Sequence, residues 1–329
     1  MIGIVTALYA AVEPYANGTL PVGALDELYW EACGNPRGKP ALVLHGGPGS
    51  GCSEWHRRLF DPALYNVILF DQRNCGRSQP YASDPATDLS ANTTDAQIAD
   101  IERLRHHLGI PSWLVLGGSW GSCLALAYAQ AFPQRVTELI LFGVTTGRHE
   151  EFNQLFREGL RSTHPAAWAR RQALVARARI EGDAIEVYSQ LLASNDRRVR
   201  EEAAHEWCLW ESATSQWPPS SELAPRFRDP AYAVCFARLV THYVRHDGWV
   251  GDGRIMAGIE KLEAIPAVLI SGERDAQAPT EIAAEVHNRW PRSDLVVVDN
   301  AGHSANNRGI EREIVRATDR FAGRANAAG

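Results

Sequence analysis

The pentapeptide Gly117-Gly118-Ser119-Trp120-Gly121 fits the pattern GxSxG, which sets a serine between glycines where a chain can turn sharply. By itself the pattern says little, since a chain of this length holds roughly 0.1 to 0.2 such matches by chance at ordinary residue usage. Its flanks say more. Trp113 to Gly117 is a short apolar run of strand character, and Ser122 to Ala131 is rich in Ala and Leu and reads as a helix. A strand, a sharp turn and a helix with serine at the apex present a nucleophilic hydroxyl, and glycines are needed where the two chains cross nearly in contact. The plainer reading is a tight turn with an inert serine.

A serine hydroxyl needs a base to take its proton as it attacks, and the base needs a partner that fixes its tautomer. One recurring chain order is Ser, then Asp or Glu, then His. Asp275 follows an apolar run in Ser271-Gly-Glu-Arg-Asp275, and His303 follows the next in Asp299-Asn-Ala-Gly-His303. The two are 28 residues apart, enough for one helix and one strand. Glu273 and Asp299 compete for the acid role; Asp275 is better placed because it lies beyond the glycine turn. The run His45-Gly46-Gly47-Pro48-Gly49 closes an earlier apolar segment and can aim a backbone N–H at a developing oxyanion, with the amide of Trp120 as the second donor. It is not a phosphate loop, for neither GxxxxGK[ST] nor GxGxxG occurs.

These residues need elements to hold them. Pro40 to His45, Tyr65 to Asp71, Trp113 to Gly117 and Leu139 to Gly143 read as buried strands, alternating with amphipathic stretches such as Asn92 to Leu108. That alternation predicts a mostly parallel sheet flanked by helices. From Arg148 to Arg254 strand signals are sparse and tryptophans frequent, so an all-helical insertion is expected there. Strands resume at Ala267 to Ser271 and Asp294 to Asp299, with helices near Thr280 to Trp290 and Ile310 to Phe321. The expected division is therefore 1–147 and 255–329 as one α/β core, with 148–254 as a helical cap. The Ala/Gly-rich tail after Gly323 is expected to fray.

The 329 residues are 45% hydrophobic and 22% charged, with a formal net charge of -6 and no basic cluster, which argues against a nucleic-acid partner. No apolar run approaches the roughly 18 residues of a membrane span, and the opening stretch lacks the basic start of a signal peptide. Six cysteines show no CxxC pair and read as reduced thiols, so a cytoplasmic protein is expected, with neither a disulfide framework nor a metal site.

Several segments together, His45 to Gly49, Asp71-Gln-Arg-Asn-Cys-Gly-Arg-Ser78, Asn92-Thr-Thr94, Gly117 to Ser122 and Ala301-Gly-His303, resemble the proline iminopeptidase family. The resemblance extends from Tyr29-Trp-Glu-Ala-Cys-Gly-Asn35 to Ala317-Thr-Asp-Arg-Phe321. It implies an α/β-hydrolase fold with a helical cap, no metal and no organic cofactor. It also implies a triad of Ser119, Asp275 and His303, oxyanion donors at Gly47 and Trp120, and a small peptide as substrate. In that family a cap glutamate of a Trp-Glu pair meets the substrate's α-amino group, and Trp210-Glu211 matches it. The other reading of Glu211 pairs it with an arginine inside the cap.

Three positions depart from the family pattern. Val240 stands where a second acid for the amine is usual, Thr145 where a phenylalanine helps to form the proline pocket, and Asn74 where the Asp-Gln-Arg signature has glycine. The leading expectation is amide hydrolysis next to a small or cyclic N-terminal residue. The alternative is a specialised amidase or esterase acting on a small molecule, and a third is a binding protein on a hydrolase scaffold.

Overall fold

Five strands, β3 Lys39–Leu44, β4 Tyr65–Phe70, β5 Trp113–Gly118, β6 Val136–Phe142 and β7 Ala267–Gly272, carry apolar residues with little or no alternation because helices cover both faces, and a sixth, β8 Ser293–Val298, is an apolar run at the sheet edge that is only partly buried. They run parallel. Two more, β1 Ala16–Pro21 and β2 Glu27–Gly34, join them antiparallel, giving the order β1-β2-β4-β3-β5-β6-β7-β8. Sequence reading missed this pair. β1 is an edge strand with a half-polar alternation, and β2 buries Glu31, which hides its strand character. The computed structural model describes residues 8–306 and 308–325, so the tail expected to fray lies outside them from 326 onward.

The helices of the sheet region are α1 Glu54–Arg57, α2 Thr94–His107, α3 Trp120–Ala131, α9 Arg254–Ala257, α10 Thr280–Asn288 and α11 Arg308–Ala325. Strand residues alternate between two cores. Leu42, Leu44, Val115, Leu139 and Leu269 pack with α2, α3 and α10, while Ala41, Val43, Leu116, Ile140 and Ile270 pack with α11.

Between β6 and α9, among the described residues, run five α-helices and no strand, namely α4 His149–Phe156, α5 Pro165–Ala178, α6 Ala184–Leu192, α7 Arg197–Ser215 and α8 Pro230–Val244. They share a core of their own around Tyr188, Trp207, Phe227 and Phe236. Part of the tryptophan richness of this segment has a specific cause. The guanidinium of Arg171 on α5 is fully buried, with Trp168, Tyr188, Trp207 and Trp210 ring centres 5.3 to 5.8 Å away. Among the described residues nothing accepts a hydrogen bond from it, so ring faces supply its electrostatic partners. Burial pushes its pKa down to about 10.

A polar chain ties α8 to the sheet region. Tyr243 donates to Asn92 Oδ1 at 2.7 Å, and Asn92 Nδ2 donates to Asn74 Oδ1 at 3.0 Å. Asn74 has φ 63°, a left-handed conformation that asparagine tolerates better than most side chains. Glycine is thus replaceable here by the one change that also adds a hydrogen bond toward Asn92.

Candidate active site

Ser119 sits between β5 and α3 with φ 54° and ψ -124°, a strained conformation for a residue with a side chain. The crossing that produces it leaves no room for a Cβ. One added at Gly117 would come within 2.3 Å of Gly121 O, and one at Gly121 within 2.0 Å of Leu44 O. The strand-turn-helix reading therefore has a steric basis, and α3 begins at Trp120, two residues earlier than its composition suggested. As the first residue of that helix, Trp120 has an N–H with no intrahelical acceptor, set beside the serine.

His303 follows β8 and Asp275 follows β7. His303 Nε2 is 2.8 Å from Ser119 Oγ and its Nδ1 is 2.8 Å from Asp275 Oδ2. The other carboxylate oxygen of Asp275 accepts the backbone N–H groups of Gln277 at 2.9 Å and Ala278 at 2.8 Å. Neither competing acid reaches the imidazole: Glu273 accepts from the Asn300 N–H at 3.0 Å, and Asp299 is exposed.

The Gly-rich loop after β3 is held from behind. Gln72 N–H donates to His45 Nε2 at 3.0 Å, which leaves the proton on Nδ1, where it meets Gly46 O at 2.9 Å. Burial keeps His45 below its ordinary pKa and hence neutral. Asp71 accepts from Cys52 N at 2.7 Å and from Arg77 Nε at 2.7 Å, and Arg77 continues to the buried Glu31 at 2.7 Å, which also takes Arg57. The Asp71 to Ser78 signature thus braces the loop that carries Gly47.

Two cavities meet at Ser119 and His303. The larger, about 530 Å³, reaches the surface past exposed Ser53 and Asn306. The smaller, about 50 Å³, has no exposed lining residue and is walled by Phe152, Leu155, Phe156, Val240, Tyr243 and Val244. Gly47 and Glu211 border both. Helix α7 brings Glu211 there, 8% exposed, and α8 brings Val240. Among the described residues no group donates a hydrogen bond to the Glu211 carboxylate. Its nearest cation, Arg226, is 3.8 Å away, outside hydrogen-bond range, so Glu211 lines the cavities and has an arginine neighbour that it does not hydrogen-bond.

Sequence reading overlooked a second acid at the small cavity, Glu151 on α4. Its oxygens are taken: Thr145 Oγ1 donates at 2.5 Å, Thr146 N at 2.8 Å, Gly147 N at 3.1 Å and Arg148 Nε at 2.9 Å, with the Thr146 hydroxyl bonded as well. Thr145, at the position expected to hold phenylalanine, is thereby committed to shaping the loop after β6. Glu151 has little capacity left for a substrate amine, which sets Glu211 apart.

The electrostatics of His303 carry a pH prediction. Burial alone would lower its pKa, but the Asp275 charge and hydrogen bond, helped by Glu211, hold it above the ordinary 6.5, with Arg226 opposing. A base must be neutral to accept a proton, so kcat/KM for an aryl ester rises with pH through a midpoint above 6.5. Because Glu211 raises that midpoint, Glu211→Gln shifts the acid limb to lower pH. A pH profile of both proteins checks this, and a limb below the ordinary value, or one unmoved by the substitution, contradicts it.

A family model described as alpha/beta hydrolase fold matches residues 39–306. The chain is 48% identical over 320 residues to the probable proline iminopeptidase of Streptomyces coelicolor, covering 96% of this chain and 98% of that one. It is 41% identical to the proline iminopeptidase of Xylella fastidiosa over 95% of this chain and 99% of the other, and 39% identical to that of Arabidopsis thaliana over 95% and 82%. Among solved structures, proline iminopeptidase from Mycobacterium smegmatis superposes with a TM-score of 0.61 at 21% identity, covering 95% of this chain and 99% of that one. A bromoperoxidase from Bacillus anthracis gives 0.65 at 18% identity, covering 93% and 100%. At those identities the two structures show the shared fold alone.

Proposed function

The chain belongs to the proline iminopeptidase family of α/β hydrolases, and from that premise we propose that it is a serine hydrolase releasing a small N-terminal residue, proline foremost, by amide hydrolysis. The observation that carries this reading is the hydrogen-bonded series from Ser119 through His303 to Asp275, set beside a small apolar cavity that Glu211 borders. Such a cavity takes one small side chain and leaves the rest of a peptide to the larger one. The carboxylate of Glu211, buried to all but about a tenth of its side chain and without a hydrogen-bond donor among the described residues, suits a substrate ammonium better than a solvated acid would.

In the proposed reaction His303 Nε2 takes the Ser119 hydroxyl proton as Oγ bonds to the carbonyl carbon of the first residue. The carbonyl oxygen becomes an oxyanion facing the N–H groups of Gly47 and Trp120. The imidazolium, stabilised by Asp275, passes the proton to the leaving nitrogen; the C–N bond breaks and the shortened peptide departs. A water molecule then gives a proton to His303 and its hydroxide to the acyl carbon, and the ester breaks as the proton returns to Ser119. Glu211 fixes the amine, so only the first peptide bond lies over the serine. The helical insertion, 148–254, serves in this reading as the cap that supplies Glu211. All six cysteines are unpaired thiols, which fits the reducing cytoplasm. Among the described residues no helix is long and apolar enough to cross a membrane.

Val240, an apolar residue at the second-acid position, favours a second reading, an amidase or esterase for a small-molecule substrate. Proline and alanine arylamides assayed beside aryl esters decide: turnover of esters with no turnover of any free-amine amide removes the peptidase reading. Glu211→Gln sharpens the test. It is expected to raise KM for prolyl arylamide by about 10- to 100-fold, the worth of a charge-assisted contact, and to move the ester KM far less. Equal losses on both substrates mean a glutamate that serves packing.

A further inference from the structure

Arg226 lies in a 3-10 turn, Pro225–Arg228, between α7 and α8, and its side chain is 45% exposed. It lines the larger cavity together with Ser119 and His303, and it does not border the smaller one. Among the described residues its guanidinium makes no hydrogen bond. It is nevertheless held in place, lying over the rings of Phe227 at 4.5 Å and Phe236 at 5.6 Å, with the Glu211 carboxylate 3.8 Å away. The cavity therefore presents a fixed pair of opposite charges, and neither is used up by hydrogen bonds within the protein.

We propose that Arg226 binds a carboxylate on the residue just after the scissile bond, which makes the preferred substrates dipeptides or short peptides acidic at that second residue. The inference rests on the N-terminal hydrolase reading. If the first residue fills the small cavity with its amine at Glu211, the leaving residue must enter the larger one, where Arg226 stands. A free dipeptide has its ammonium and carboxylate on either side of the scissile bond, so it offers the complement of the Glu211 and Arg226 pair. A guanidinium with its donors unpaired is suited to a carboxylate, which it can take with two parallel N–H bonds. For a neutral substrate the same arginine is a disadvantage, because it draws on the Glu211 charge that the amine needs. One residue thereby favours acidic leaving groups and disfavours neutral ones.

The test compares prolylglycine with prolylglycinamide, and the α-amide of prolylaspartic acid, whose side-chain carboxylate is free, with prolylasparaginamide, in the wild type and in Arg226→Gln. The first pair reads a main-chain carboxylate and the second a side-chain one. In the wild type, kcat/KM for the acid exceeds that for the neutral partner by about tenfold in at least one pair, carried by KM. In Arg226→Gln that ratio falls to about one, while Arg226→Lys, which keeps the charge but not the two-pronged donor, retains only part of it; reading ratios cancels any general loss of active protein. The preference also shrinks at about 1 M salt, because the arginine is partly solvated. Ratios near one in the wild-type protein, or ratios that survive Arg226→Gln, overturn the inference. Prolyl arylamide separates the two failures: if it is cleaved and the ratios are flat, only the role of Arg226 fails. If neither prolyl nor alanyl arylamide is cleaved, the N-terminal reading fails and this inference falls with it.

Discussion

Ser119→Ala is expected to lower kcat/KM by about 10⁴- to 10⁶-fold with the fold retained, because no other nucleophile can take its place. Three alternatives lie close enough to consider. Ser122 is committed: its hydroxyl donates to Ser119 O at 2.7 Å and accepts the Thr145 N–H at 3.1 Å. Cys52 borders the larger cavity, but burial holds its thiol pKa well above the ordinary value, so it has almost no thiolate to attack with. Ser304 follows His303 in the chain, yet its backbone is tied to Ser215 O through its N–H at 2.9 Å, and among the described residues its hydroxyl makes no hydrogen bond to the imidazole. Alanine fits the strained turn about as well as serine, so circular dichroism and melting temperature stay near those of the wild type. Rate assays and covalent labelling with a sulfonyl fluoride check the expectation. A variant that keeps more than a few per cent of the rate, or is still labelled at this site, removes Ser119 from the mechanism.

Asp275→Asn is expected to cost about 10³- to 10⁴-fold in kcat, for a reason the hydrogen bonds make explicit. Oδ1 of Asp275 accepts two backbone N–H groups, from Gln277 and Ala278. An asparagine must put its carbonyl oxygen there, since an NH₂ group would face two donors. The NH₂ then points at His303 Nδ1 and forces that nitrogen to accept. The ring proton moves to Nε2, where it faces the Ser119 hydroxyl, and the base can no longer take a proton. The substitution also removes the charge that raises the His303 pKa, so the acid limb of the pH profile moves down. Steady-state kinetics across pH test both parts. A loss smaller than tenfold means that Asp275 does not set the tautomer.

The contrast between these residues and Arg226 shows what kind of information a sequence holds. Ser119 and Asp275 each follow a strand buried on both faces, and such strands announce themselves as continuous apolar runs; His303 follows β8, an edge strand that is only partly buried but still carries the apolar run Leu295 to Val298. Once those runs are found, the residue at each C-terminal end has its place along the sheet. β1 and β2 escaped because an antiparallel edge with a buried Glu31 carries no such signature; the Arg57 and Arg77 guanidiniums that allow the burial come from other segments. Glu151 was overlooked for a similar reason, since the five donors of its four neighbouring residues become a cage only after the loop following β6 has turned.

The sequence by itself determined the alternating sheet and helices, the serine turn and the chain order of base and acid, because these depend on periodicity and on glycines at a crossing. It also limited the acid to three candidates, Asp275, Glu273 and Asp299. Tertiary structure decided which carboxylate lies 2.8 Å from His303, that Glu211 is buried at the cavities Ser119 also lines, and that Arg226 stands beside it. Those are distances between segments far apart in the chain. Local pattern cannot encode them, because the first is fixed by the loops that follow the adjacent strands β7 and β8 and the others by how the helices between β6 and β7 pack over the sheet.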